Sequence, residues 1–239
     1  MKTMIGVMGS VSGFDDAAST ATYALGRAIA QANCVTVTGA CPGLPYDAIR
    51  GAKDAGGLTV GVSPGHNFAE HTVKYASPSE GFDVIIYTGS GLMGREITGV
   101  RSCDIVIVAG GRSGTLGEFA IAYDEGKLIG VLMGTGGLSE HIQTLVTVIN
   151  KETGSQVVYD ADPDRLITTL LELQCARRTA PVTPHAPGAA VLCALDDIDH
   201  AIAQMEHEQT LIAANIAELR QRQEAYQDVA LMGAGEATG

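Results

Sequence analysis

Three glycine-rich stretches each follow a short apolar run: Gly9-Ser10-Val11-Ser12-Gly13, Gly39-Ala40-Cys41-Pro42-Gly43-Leu44 and Gly110-Gly111-Arg112-Ser113-Gly114-Thr115. The third carries the most chemistry. Its glycines let a ligand come close to the backbone. Ser113, Gly114 and Thr115 read as the opening of a helix, whose first N–H groups have no partner within the helix and so form an anion site. Glu118 falls one turn inside that helix, where the dipole favours a carboxylate. It should border the loop rather than bulk solvent. Upstream, Arg95 offers a planar guanidinium suited to phosphate or carboxylate. Plainer readings stand beside these: a packing turn, a Glu that only serves the dipole, and an Arg in a surface ion pair. Arg101, six residues beyond Arg95, is read as a partner of Asp104 more than as a second anion contact.

Other chemistries lack their residues. No Gly-Lys-Ser/Thr follows the loop, so it is not a Walker loop, and the loop is not Gly-x-Gly-x-x-Gly either, so it gives no support to NAD binding. His66 and His71 have no third ligand at metal spacing, so no metal site is expected. Cys41 has no activating His or Lys near it in sequence and reads as a small buried residue. The five lysines show no Ser-x-x-Lys pattern, and nothing points to pyridoxal phosphate or to any other cofactor.

The elements that must position these residues come from seven short β-branched runs. They are residues 4–8, 34–38, 58–62, 83–87, 104–108, 128–132 and 156–159. Most do not alternate with polar residues, as expected of strands buried on both faces. Helix-period segments separate most of them. An α/β, Rossmann-like parallel sheet of about seven strands flanked by helices follows. In such a sheet ligands sit at the carboxyl ends of strands, where the strand order reverses. That places all three glycine-rich stretches at one edge. Asp162-Pro163 marks a helix start ahead of Leu166, Leu170 and Leu171.

Composition narrows the partners. The 239 residues have 46% hydrophobic and 18% charged content, which is globular rather than disordered. The formal net charge of −12 argues against a nucleic-acid polymer as partner, because nothing global offsets phosphate repulsion. The five cysteines are scattered, with no Cys-x-x-Cys pair. The N-terminal apolar run is too short for a signal peptide or a membrane span, so a reduced cytoplasmic protein is expected. Residues 1–178 read as the α/β domain and residues 179–190, with three prolines, as a linker. From 191 to 232 an apolar seam runs through Leu195, Ile198, Ile202, Met205, Ile212, Ile216, Leu219 and Tyr226, with Gln209 and Gln223 interrupting it. That heptad spacing predicts an amphipathic helix that oligomerises or docks. Residues 233–239 should fray.

Several of these residues resemble the Lonely Guy (LOG) family and the broader SLOG Rossmann group. Gly9-Ser10 after the first strand and Ala24-Leu25-Gly26-Arg27-Ala28-Ile29-Ala30 are similar to its N-terminal features. Arg95, then Arg101 and Asp104, then Gly111, Gly114-Thr115 and Glu118 resemble its Arg plus Pro-Gly-Gly-x-Gly-Thr-x-x-Glu signature. Gly56-Gly57-Leu58-Thr59-Val60-Gly61 is closer to the branch that includes molybdenum cofactor carrier proteins. The resemblance covers residues 3 to about 178. It implies a nucleoside 5′-monophosphate phosphoribohydrolase, cleaving the N-glycosidic bond to free base and ribose 5-phosphate. The alternative is a non-catalytic nucleotide or molybdenum cofactor carrier. Arg95 and Glu118 would be the catalytic pair. Gly9, Ser10, Gly39, Gly110, Gly111, Arg112, Ser113, Gly114 and Thr115 would hold a small phosphorylated, nucleotide-like ligand. Such proteins are often labelled lysine decarboxylases, which the absent pyridoxal motif contradicts. A homodimer at least is implied. This chain departs from the family at Ala109-Gly110-Gly111, which replaces Pro-Gly-Gly, and at Arg112, which takes the third glycine's place.

Overall fold

A computed structural model describes residues 1–179. The heptad seam, the proline-rich linker and the C-terminal tail lie outside the described residues.

The seven apolar runs form seven strands. They are β1 (Met4–Gly9), β2 (Val35–Thr38), β3 (Leu58–Ser63), β4 (Val84–Tyr87), β5 (Ile105–Ala109), β6 (Leu128–Leu132) and β7 (Gln156–Asp160). All neighbours pair in parallel, in the order β4-β3-β2-β1-β5-β6-β7. The order reverses between β1 and β5, so the crevice for a ligand opens where their carboxyl ends diverge. The helices are α1 (Asp16–Gln31), α2 (Leu44–Asp54), α3 (Gly91–Arg101), α4 (Ser113–Asp124), α5 (Ile142–Ile149) and α6 (Pro163–Thr179).

Alternate residues of each central strand serve opposite faces. Ile105 and Ile107 pack with Leu25 and Ile29 of α1 and Leu166 and Leu170 of α6. Val106 and Val108 pack with Phe119 and Ala122 of α4 and Ile142 of α5. Both faces of the central strands are thus covered, which is why their runs read as continuous Val and Ile. The edge strand β4 departs from that expectation: its Val84 and Ile86 are 50% and 45% exposed. Asp162 caps α6 as the Asp-Pro pair predicts, its Oδ1 accepting from the N–H groups of Asp164 and Arg165.

One expectation fails locally. Arg101 does not pair with Asp104: it binds Glu125, and Asp104 is taken by Arg178 and by the Met4 N–H. The long side chain of Arg101, at the end of α3, reaches the end of α4 instead of turning back on its own segment. His71 is wholly buried, with Nδ1 at 3.0 Å from Ser63 Oγ and Nε2 at 2.8 Å from the Pro78 carbonyl. It is a structural post between β3 and the loop before β4. Among the described residues, no cluster of three or more His, Cys, Asp or Glu is placed to hold a metal. None of their helices is long and apolar enough to cross a membrane.

Candidate functional site

The loop after β5 is built before it can bind anything. Gly110 and Gly111 sit at φ +62° and +108°, backbone that disfavours any side chain. At Gly111 an added Cβ would also come within 2.6 Å of Thr115 Cγ2. The Gly110 N–H donates to Thr135 Oγ1 at 2.7 Å, and the Gly111 N–H donates to Ser10 Oγ at 2.6 Å. Their carbonyls accept from the N–H groups of Ser139 and Leu138. Both glycine peptides are therefore committed to the protein, and their task is to shape the turn. Ser10 ties three segments: its N–H donates to Ala109, its carbonyl accepts from Leu44, and its hydroxyl holds Gly111. Gly9 abuts the Ala109 carbonyl, where a Cβ would meet it at 2.3 Å.

The donors left for a ligand lie one step on. Helix α4 begins at Ser113, as the sequence predicts, and no side chain caps it. Ser113, Gly114 and Thr115 line the crevice, and their first-turn N–H groups have no partner within the helix. Arg112, exposed, rests a guanidinium nitrogen 3.0 Å from Ser12 Oγ at the rim. These residues line a cleft of about 280 Å³ together with Gly9, Ser10, Gly39, Cys41, Arg95, Glu96 and Glu118. Every residue singled out from the sequence except Gly110 and Gly111, which stand behind the wall, reaches this lining.

The electrostatics of the cleft are unusual. Arg95, Glu96 and Glu118 are 8%, 6% and 7% exposed. Among the described residues none of the three forms an ion pair, and the Arg95 Nε is buried with no hydrogen-bond partner. Burial pushes the Glu118 carboxyl up to about 7, against the pull of Arg95 and with the help of Glu96. Burial raises Glu96 too, again opposed by Arg95. Cys41 is raised by burial and partly relieved by the Arg95 charge. It is a cleft residue rather than the plain core residue its sequence context suggests.

Gly39 explains how the guanidinium fits. A Cβ there would lie 1.3 Å from Arg95 Nη1. Gly39 thus serves the cleft by leaving room for Arg95. Gly39→Ala is expected to expel the side chain and weaken anion binding by about tenfold or more, since hydrogen bonds to charged groups are the strong ones. Titration calorimetry with inorganic phosphate checks this; unchanged affinity would mean that the guanidinium is not the anion contact.

Two cleft residues, Glu96 and Cys41, escape the sequence reading of the site. Adjacent acidic and basic residues on a helix read as a solvated face. In α3 the pattern is inverted: Leu92, Met93 and Ile97 are 57%, 67% and 44% exposed while Arg95 and Glu96 are buried.

Comparison with known proteins agrees with this architecture. A family model described as LDcluster4, the SLOG cluster4 family, matches residues 2–167. The molybdenum cofactor binding protein from Rippkaea orientalis is similar at 31% identity and a TM-score of 0.61, covering 72% of this chain and 98% of that one. The molybdenum cofactor carrier protein of Chlamydomonas reinhardtii is 28% identical with a TM-score of 0.60, covering 73% of this chain and 99% of that one. An uncharacterised protein of Archaeoglobus fulgidus is 34% identical over 133 residues, 55% of this chain and 82% of that protein.

Proposed function

The chain belongs to the SLOG cluster4 family, and on that premise we propose that its cleft binds a small phosphorylated, nucleotide-like ligand as cargo, in the manner of a molybdenum cofactor carrier. The observation that carries this reading is the buried, unpaired Arg95. Glu96 and Glu118 offset the Arg95 charge only in part, since neither forms an ion pair with it, and a buried guanidinium without its hydrogen bonds costs several kcal/mol in order of magnitude. A phosphate offers Arg95 two oxygens in the plane of its guanidinium. The uncapped start of α4 supplies backbone donors on the same wall, and Arg112 adds charge at the rim. The cost of the free cleft is relieved when the ligand enters.

A second reading has one specific support. Glu118 lies in the cleft with Arg95, and a carboxyl near 7 is part ionised at neutral pH. Beside a ribose, it could stabilise an oxocarbenium-like sugar and orient water, which is N-glycosidic hydrolysis of a nucleoside 5′-monophosphate. Arg95 would then hold the phosphate or the departing base. One experiment separates the two. AMP, GMP, CMP and UMP are incubated with the wild type and with Glu118→Gln, and free base is followed by chromatography. The cargo reading expects binding by both proteins and no free base from either. Base released by the wild type and not by the variant would replace cargo binding with hydrolysis. Retention of no phosphorylated ligand at all would sink both.

A further inference from the structure

Glu96 is left unexplained by an anion site. It lines the cleft at 6% exposure, and among the described residues its carboxylate has neither a hydrogen-bond donor nor an ion-pair partner. Its two oxygens lie along the flank of α4. Oε1 is 3.4 Å from where a Gly114 Cβ would stand, and Oε2 is 3.0 Å from the corresponding point at Gly117. Neither oxygen is sealed from the cleft, since neither is among the fully buried unpartnered atoms. Gly117 thus makes room for a carboxylate, with Gly114 in ordinary contact beside it, in a cleft whose neighbouring wall is built for negative charge.

A phosphate cannot satisfy Glu96, because an ionised carboxylate only accepts and repels another anion. A ligand that fits the whole cleft must therefore be bipolar, with an anionic group at Arg95 and the start of α4 and hydrogen-bond donors at Glu96. Building on the phosphorylated-ligand reading above, we propose that Glu96 is a specificity-determining residue that accepts two adjacent N–H donors from the 2-amino-4-oxo-pyrimidine edge of the ligand's ring. Guanine and pterin both present that edge: a ring N–H beside an exocyclic amino group. The two donors are spaced like one side of a guanidinium, which is the fork a carboxylate accepts in parallel. Arg95, on the adjacent position of α3, Glu118, and Arg112 at the rim are the charged groups that share the cleft with Glu96. An ionised Glu118 has no donor to offer, Arg112 reaches Ser12 at the rim, and neither arginine forms an ion pair with Glu96 among the described residues. The cleft volume of about 280 Å³ sits at the small end of ligand pockets, consistent with one ring system and one phosphate.

The test uses the full chain and titration calorimetry with GMP, IMP, AMP, 2′-deoxy-GMP, a phosphorylated pterin and inorganic phosphate. The wild type is expected to bind GMP or the phosphopterin about ten- to a hundredfold tighter than AMP, the range of a bidentate base contact. IMP, which keeps the ring N–H and lacks the amino group, should fall between. Glu96→Gln presents an amide N–H₂ to the same edge and should abolish the preference, while inorganic phosphate still binds at least as tightly because a repelling carboxylate is gone. That phosphate signal also reports that the variant is folded. Which of GMP and the phosphopterin binds tighter identifies the source of the ring. A preference that survives Glu96→Gln, or equal wild-type affinities for GMP and AMP, overturns the assignment. So does a deoxy-GMP affinity as poor as that of AMP, which would mean that the sugar hydroxyls are what the cleft reads. A wild type that binds phosphate without preferring GMP or the phosphopterin loses the ring assignment alone; failure of the wild type to bind phosphate or any phosphorylated ligand removes the underlying reading as well.

Discussion

Replacing Arg95 by Met is expected to raise the melting temperature and to weaken phosphate binding by about ten- to a hundredfold, the scale of a charge-assisted hydrogen-bond pair. Both halves come from one fact: the guanidinium is 8% exposed, its Nε has no partner, and no ion pair compensates it among the described residues. Met has a similar reach and carries no desolvation cost, so the free protein should gain what the cation was costing. The gain is not uniform in pH. Arg95 is the charge that holds down the Glu118 and Glu96 carboxyls, and its removal leaves both without a counter-charge. The stabilisation should therefore be larger near pH 6, where the Glu118 carboxyl still holds its proton, than at pH 8. Arg95→Lys is the informative companion. It keeps the charge and loses the fork, so it should recover only part of the affinity. Thermal scans at both pH values and calorimetry with phosphate decide the matter. A lower melting temperature for Arg95→Met at pH 6 would make Arg95 a structural residue, and unchanged affinity would place the anion elsewhere.

How far the sequence alone reaches can be seen element by element. All seven strands lie at the short β-branched runs, and the central ones read as continuous Val and Ile because both of their faces are covered. The position of the cleft is legible for the same reason: every glycine-rich stretch follows a strand, and parallel strands put those ends together. What the residues do there is less legible. Gly39, Gly110 and Gly111 read as ligand-facing glycines, yet one clears space for a guanidinium and two shape a turn whose N–H groups are already used. A glycine in sequence announces a close approach but not what approaches. Glu96 is missed because hydrophobic periodicity assumes that a helix turns its apolar side to the core. Helix α3 lies over a polar cleft, so its charged residues turn inward and Leu92 and Met93 turn out. Arg101 shows the same limit for ion pairs: sequence proximity favours Asp104, and the packing of α3 beside α4 brings Glu125 closer.

Glu118 makes the stability of the protein fall as pH rises, opposite to the usual behaviour of a paired carboxylate. In the unfolded chain its carboxyl titrates near the ordinary 4.5, and in the folded protein burial moves it to about 7. Below 4.5 both states hold the proton, and the group does not bias folding with pH. Between the two values the unfolded chain has released its proton while the folded protein retains it. The folded state then binds more protons, so stability declines with pH, at up to about 1.4 kcal/mol per unit. Above 7 both states are ionised and the loss is complete. The shift of two to three units corresponds to about 3 kcal/mol. Glu118→Gln keeps the shape and cannot ionise, so it should match the wild type near pH 4.5 and exceed it by about that amount at pH 8. Glu96, also raised, contributes a slope of the same sign that the variant retains, so the difference between the two proteins isolates Glu118. Urea denaturation of both at pH 5, 6, 7 and 8 measures it. Curves that run parallel across this range would mean that Glu118 is already solvated or paired in the folded protein, and its place as the buried acid of the cleft would be lost. A gap that opens through pH 7 would instead identify an ionised Glu118 as a strained group of the free cleft, held where a bound ligand's sugar or ring can use its charge.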